Sequence, residues 1–257
     1  MASLRKQATK LAPKGLFLLV LGPSKAGKSH LMGTMPGKGN TLLLHGQGEK
    51  HGVKSAFKGQ ENKLIPVQWP ASDDLIKWFK TVLTPAQIKE DNITCIGVDS
   101  LTDLFRDIRN TKTFQNKCQT ASGKHNSFAE ATALIDLMSL ILGYLEKLRT
   151  ETGVQVICSM HATVTFQENG NPAEVKPDLP TFGVAAFLVR YFGDILVMND
   201  RKILTGVKAT RESKDETGKA VKFLDFRPCL DDVMELPAEI EPSIAALLKL
   251  KGVSTDG

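Results

Sequence analysis

The sequence predicts an α/β domain of buried strands with helices between several of them and a late β-hairpin. Three observations carry that expectation. The apolar run LFLLVL, starting at Leu16, leads straight into GPSKAGKS and then into a helix-compatible HLMGT. Further apolar runs, TLLLH, ITCIGVDS, VQVICSM and DILVMN, recur along the chain and read as buried strands, with helical patterns between several of them. At 257 residues the chain is long for one domain and short for two, so one domain is expected over 1–257, with flexible ends at 1–12 and 251–257.

Taken in order, the first element is a strand, a glycine-rich loop and a helix. GPSKAGKS fits G-x-x-x-x-G-K-[ST], the spacing of a phosphate-binding loop. Gly22 leaves the strand, Gly27 allows a tight turn, Lys28 supplies a cation for β and γ phosphates, and Ser29 supplies a hydroxyl for Mg²⁺. Backbone N–H groups from about Ser24 to Ser29 are expected to face phosphate oxygens, helped by the positive end of the following helix. The candidate nucleotide-binding segment is therefore Gly22, Pro23, Ser24, Lys25, Ala26, Gly27, Lys28, Ser29 and His30.

MPGKGN punctuates a turn, and TLLLH reads as a short strand ending in glycine-rich HGQGEKHG. Residues 74–83 have helical apolar spacing after Ser72 and Asp73, either of which suits a cap, with Trp78 and Phe79 read as core. ITCIGVDS, residues 93–100, is a strand ending in Asp99, an acid placed to order Mg²⁺ directly or through its water shell. Residues 105–126 break periodicity and gather Arg106, Arg109, Lys112, Lys117, Lys124 and His125. They read either as a solvated surface loop or as a basic arm for nucleic-acid phosphates.

Ser127 and Glu130 form a capping-box pattern before a long helix that Gly153 closes. Leu134, Leu137, Met138, Ile141, Leu142, Leu145 and Leu148 give that helix a wide apolar face. VQVICSM is a strand ending at His161, read as a structural histidine or as a hydrogen-bonding contact to a γ phosphate. Residues 162–182 form a second irregular stretch; VAAFLVRYF then resumes helical spacing, and DILVMN is a strand. RKILTGVKAT and KAVKFLDF read as hairpin arms around a solvated turn, and EIEPSIAALLKLKG as a short amphipathic helix with a frayed tail.

Composition narrows the class. Apolar residues make up 42% and charged residues 24%, which is globular rather than disordered. The net charge of +5 suits an anionic partner and equally suits an ordinary solvated surface. Cys95, Cys118, Cys158 and Cys229 are widely spaced, without a C-x-x-C pair, so they read as reduced thiols, with Cys95 and Cys158 as small core residues. The basic start and the short apolar run after it do not make a signal peptide, and no run approaches membrane-spanning length. A soluble cytoplasmic protein with no membrane partner is expected.

Strand, phosphate loop, HGQGE, IGVDS, the strand ending in His161 and a late basic hairpin occur in one order that resembles the RecA-type ATPase core. More narrowly, PGKGNTLLL, KPDLPTFG, YFGDILVM and EIEPSIAALL look like the small phage nucleotide-binding proteins of that class, including RecA-like single-strand annealing ATPases. The resemblance covers roughly residues 13–250. It implies a P-loop NTPase fold of RecA-like type, with a mostly parallel central sheet flanked by helices, ATP and Mg²⁺ at the carboxyl ends of the strands, single-stranded DNA as partner, ring or filament self-assembly, a role in recombination beside other recombination proteins, and a bacterial cytoplasm if the chain is phage-encoded. The segments after the acid strand and after the histidine strand would line the DNA path, bringing in Lys176 beside the cations of the first segment. Basic residues of the late hairpin would reach a neighbour's nucleotide, which makes Lys208, Arg211 and Lys214 the candidates. Two departures bear on turnover. Gln47 falls where the family commonly places a water-polarising glutamate, with Glu49 two residues on, and a glutamine holds a water without accepting its proton. Lys214 is followed by Glu216 where relatives often carry Arg. The sequence reading is thus an ATP-binding, ATP-hydrolysing, single-strand-binding recombination protein using Lys28, Gln47, Glu49, Asp99 and His161. Two alternatives stand beside it: a nucleotide-dependent binding or assembly module with little hydrolysis, and a small-molecule kinase, although the central segments mix Lys, Asn and Gln where a kinase lid usually brings several arginines.

Overall fold

The computed structural model describes residues 15–49, 53, 64–119, 126–166, 172–178, 184, 187–188, 191–205, 209–214, 220–226, 228–230, 233 and 235–253. Its strands are β1 (Phe17–Gly22), β2 (Asn40–His45), β3 (Leu64–Gln68), β4 (Ile93–Asp99), β5 (Gln155–Phe166), β6 (Pro172–Pro177), β7 (Asp194–Asn199), β8 (Lys202–Ile203), β9 (Ala209–Lys214) and β10 (Ala220–Phe226). Its helices are α1 (Lys28–Met32), α2 (Leu75–Val82), α3 (Pro85–Glu90), α4 (Leu101–Arg109), α5 (Lys112–Lys117), α6 (Ser127–Thr152) and α7 (Ile244–Leu250). The main sheet runs β3-β2-β4-β5-β1-β7-β8. Every pairing from β3 to β7 is parallel, whereas β8 on β7 and β6 on β5 are antiparallel. β9 and β10 form a separate antiparallel hairpin. The architecture is α/β, with a mostly parallel sheet flanked by helices and a late hairpin.

Strands covered on both faces need apolar residues at every position, which is why β1 is a continuous run rather than an alternation. Its side chains divide by parity. Phe17, Leu19 and Leu21 pack into the core that holds Leu134, Leu137, Met138, Ile141, Leu142, Leu145 and Leu148 of α6. Leu16, Leu18 and Val20 pack into a second core with Leu31 of α1 and Ile244, Leu247 and Leu248 of α7. Gly153, at φ +76°, ends α6 as expected. Phe79 is buried and Trp78 packs edge-on against it, so both are core.

The structure corrects several local expectations. Residues 105–126 are not one irregular loop: Phe105 lies in the middle of α4, and α5 follows. Leu101, Leu104, Phe105 and Ile108 are buried at helical spacing, so a window opened at Phe105 cuts away the turn that establishes the period. Ser100 caps α4 by accepting the Asp103 N–H, and Thr111 caps α5 by accepting the Phe114 N–H. Residues 162–182 likewise begin as sheet, because β5 runs past His161 to Phe166 and pairs with β6, placing Val164 opposite a buried Val175. Neither Ser72 nor Asp73 is the cap residue of α2: Asp74 occupies that position without a side-chain bond, and the Asp73 carboxylate accepts the Lys112 N–H instead.

The first expected hairpin arm is divided, with Lys202–Ile203 turned back on β7 and the arm itself starting at Ala209. β3 and α3 had no counterpart in the sequence reading; α3 starts at Pro85 behind a Thr84 cap. The expected flexible start, 1–12, lies outside the described residues, as do 254–257. Lys251, expected to fray, is instead pinned, its Nζ 2.6 Å from Asp194 Oδ1 with both side chains buried. Among the described residues no helix is long and apolar enough to cross a membrane.

Candidate functional site

Because β1, β2, β4, β5 and β7 are parallel, their carboxyl ends share one edge of the sheet, and the candidate residues collect there. The loop from Gly22 to Ser29 joins β1 to α1. A Cβ on Gly22 would fall 2.2 Å from the Met198 carbonyl oxygen, so only glycine permits β7 to come this near. Lys25 and Gly27 turn the loop through left-handed conformations at φ 65° and 98°. Lys28 then folds its side chain back across the loop, donating from Nζ to the carbonyls of Gly22 at 2.8 Å and Pro23 at 2.7 Å. An ammonium that is 5% exposed requires such acceptors, because burying it without them costs several kcal/mol. The Ala26 N–H donates to the Pro23 carbonyl at 3.3 Å, so that amide belongs to the loop's own turn. Ser24, Lys25 and His30 are exposed, while Pro23 and Ser29 are half-buried.

Asp99 ends β4, separated from β1 by β5. Its carboxylate bridges that gap: Oδ2 accepts the Ser29 hydroxyl, and Oδ1 accepts the Ser159 hydroxyl from β5 at 2.5 Å. Asp99 is 2% exposed and Ser159 fully buried. Ser159 escaped the sequence reading; its signal is a lone hydroxyl inside the apolar run VQVICSM. The Asp99–Ser100 peptide is cis. His161 is paired in register with Gly22, and its backbone N–H donates to Thr102 Oγ1 at 3.1 Å. It lines an open cleft of about 480 Å³ with Pro23, Ser24, Thr163, Lys176 and Asp178, between the glycine loop and the β5–β6 hairpin.

Gln47 opens the 3-10 turn after β2 and is exposed. His45, the last residue of β2, pairs with Asp99 in register, so the turn that carries Gln47 leaves the strand next to that of Asp99. Glu49 closes that turn, and its side chain lies outside the described residues. Asp103, which the sequence reading missed, packs its carboxylate against Gly48 while pairing with Arg106.

The expected basic arm is rearranged by the helices that replace it. Arg106 pairs with Asp103, Arg109 with Glu130 at 3.2 Å and Lys117 with Asp136 at 3.2 Å. Three of its cations are thus set against acids, which reduces their field toward an incoming polyanion. Lys112 is exposed at the start of α5, and Lys176 is exposed in the cleft. Lys124 and Lys208 lie outside the described residues; Arg211 and Lys214 are on β9 opposite Leu224 and Ala220, with their side chains outside the description.

On the other flank of the loop, the two-residue turn Asp200–Arg201 joins β7 to β8. The Arg201 N–H donates to the Ala26 carbonyl at 2.9 Å, and a Cβ on Gly27 would meet Arg201 Cγ at 3.2 Å. With Lys28 folded over the loop and its neighbour Ser29 bonded to Asp99, the arrangement can neutralise anionic charge at the loop and offer hard oxygen donors beside it. Compared with known families and with curated proteins, the chain matches no family model and no curated protein.

Proposed function

We propose that this chain is a nucleotide-binding protein of the phosphate-loop, RecA-like type, which binds ATP with Mg²⁺ and hydrolyses it in connection with single-stranded DNA in phage-type recombination. The observation that supports this most is the contact between Ser29 and Asp99, made across an intervening strand beside the clamped Lys28. The contact ties the acid at the end of β4 to the glycine loop two strands away. The pair does fit a hard cation: one carboxylate and one hydroxyl, both oxygen donors, with the carboxylate buried and accepting from the Ser29 and Ser159 hydroxyls. Among the described residues no group of three or more His, Cys, Asp or Glu side chains offers a metal cage, so the ion would arrive with phosphate oxygens completing its shell. Ser29 and Asp99 would hold it, and when bound it spreads the negative charge of the phosphate chain.

The protein's own contribution is positioning. Lys28 exchanges one or both carbonyl partners for phosphate oxygens and faces the charge that develops as water attacks. His161, in register with Gly22 and lining the cleft, is the candidate to hydrogen-bond the terminal phosphate. Gln47 orients a water without taking its proton, so turnover is expected to be slow. Lys176 shares a cleft with Pro23 and Ser24 of the loop, and is the candidate there for a nucleic-acid phosphate. Gln47 also favours a second reading, in which nucleotide gates assembly and hydrolysis is incidental.

ATP turnover with and without single-stranded DNA, at low and moderate salt, separates the two. DNA stimulation that weakens with salt and vanishes in Lys28→Ala supports the DNA-coupled ATPase. Nucleotide binding with background turnover and no DNA effect rejects it in favour of the assembly module.

A further inference from the structure

The turn Asp200–Arg201 carries a cost that its own chemistry does not explain. Two-residue turns with both central residues at positive φ strongly prefer Asn-Gly or Asp-Gly. Here the φ values are 45° at Asp200 and 59° at Arg201, so a long cation occupies the position where glycine would be unstrained. Strain of this kind persists where the side chain has a use.

Its location suggests the use. β5 and β4, with His161 and Asp99, lie on one side of β1, and β7 with the Asp200–Arg201 turn lies on the other. On the reading above, Ser29 and Asp99 would hold the metal on the β4 side of the loop, which leaves the β7 side for the rest of an extended nucleotide. There the Arg201 backbone is fixed by its bond to the Ala26 carbonyl, its stem lies along Gly27, and the side chain is exposed. The geometry points to Arg201 as the contact for the nucleoside of the nucleotide, its guanidinium stacking on the base. A guanidinium is planar, always charged and stacks on aromatic faces. This inference rests on the nucleotide-binding reading above.

The test uses calorimetric titration of the full chain with MgATP and, separately, with magnesium tripolyphosphate, which has the phosphates and no nucleoside. Arg201→Gly relieves the strained conformation, so its Tm is expected to equal or exceed that of the wild type. Its ATP affinity is expected to fall by roughly tenfold or more, with tripolyphosphate binding unchanged within about twofold. Arg201→Lys keeps the stem over Gly27 and the charge, and is expected to lose several-fold in ATP affinity through loss of the planar fork. ATP binding by Arg201→Gly within about twofold of the wild type overturns the inference, as does equal weakening toward both ligands. If the wild type binds both ligands and Lys28→Ala does not, such a result removes Arg201 alone. If the wild type binds neither, the nucleotide reading falls first.

Discussion

Asp99 is the residue on which the site turns, because a carboxylate this deeply buried must have each oxygen satisfied, and Ser29 and Ser159 do so from two different elements. Asp99→Asn keeps one acceptor oxygen and turns the other position into a donor, to which a rotating serine hydroxyl adapts. The fold is therefore expected to survive, with Tm within a few degrees of the wild type. The Mg²⁺-dependent part of ATP affinity is expected to disappear, measured as the difference between titrations with and without the ion. If Asp99→Asn retains that difference, Asp99 has no part in holding a metal. Lys28 makes the complementary case, since its two carbonyl bonds show how the chain accommodates a buried cation at the loop.

At the scale of elements, α4 shows how function and stability share one short segment. It begins at Ser100, next to Asp99, so its cap also sets where the acid ends β4. Ser100→Ala removes the bond from the Asp103 N–H inside a fully buried site and should cost about 1 kcal/mol, a Tm fall of roughly 2–4 °C. Thermal unfolding of the variant checks this; an unchanged Tm would mean that the cap carries nothing. The same helix shows what the sequence made legible. β1, β2, β4, β7 and α6 are uniform patterns longer than their surroundings, and they are recognisable without tertiary knowledge. α4 was hidden because its polar face carries Asp103, Arg106, Asp107 and Arg109, which give the segment a loop-like composition although its apolar face is intact. β6 was hidden because its burial comes from pairing with an extended β5, which no local pattern announces. Gly22, Lys28, Ser29 and Asp99 were legible through spacing and strand ends; Ser159 and Arg201 depend on strand order, a property of the whole sheet.

The whole molecule is a sheet with a separate apolar core on each face, and its thiols report on that layering. Cys95 and Cys158 are buried in the sheet, and burial pushes the Cys95 thiol up to about 12 and raises Cys158 as well. An ordinary thiol ionises near about 8.5, so the unfolded chain loses these protons first as pH rises. The folded state then binds more protons than the unfolded one, and stability falls from about pH 8.5 upward toward 12. Chemical unfolding at pH 8 and 10.5 should show this decline, and Cys95→Ala with Cys158→Ala should reduce it; an equal decline in the double variant would place the alkaline lability elsewhere. The sheet also sets the order of the candidate site, from the Gln47 turn beside β4, through Asp99, to the glycine loop and the β7–β8 turn along one edge. The central claim is that this edge binds a nucleoside triphosphate at the loop. Calorimetric titration of MgATP into the wild type and Lys28→Ala tests it most directly. The account predicts saturable one-site binding by the wild type and a loss of roughly tenfold or more in Lys28→Ala, with its thermal unfolding intact. No binding by the wild type, or equal binding by Lys28→Ala, would contradict it.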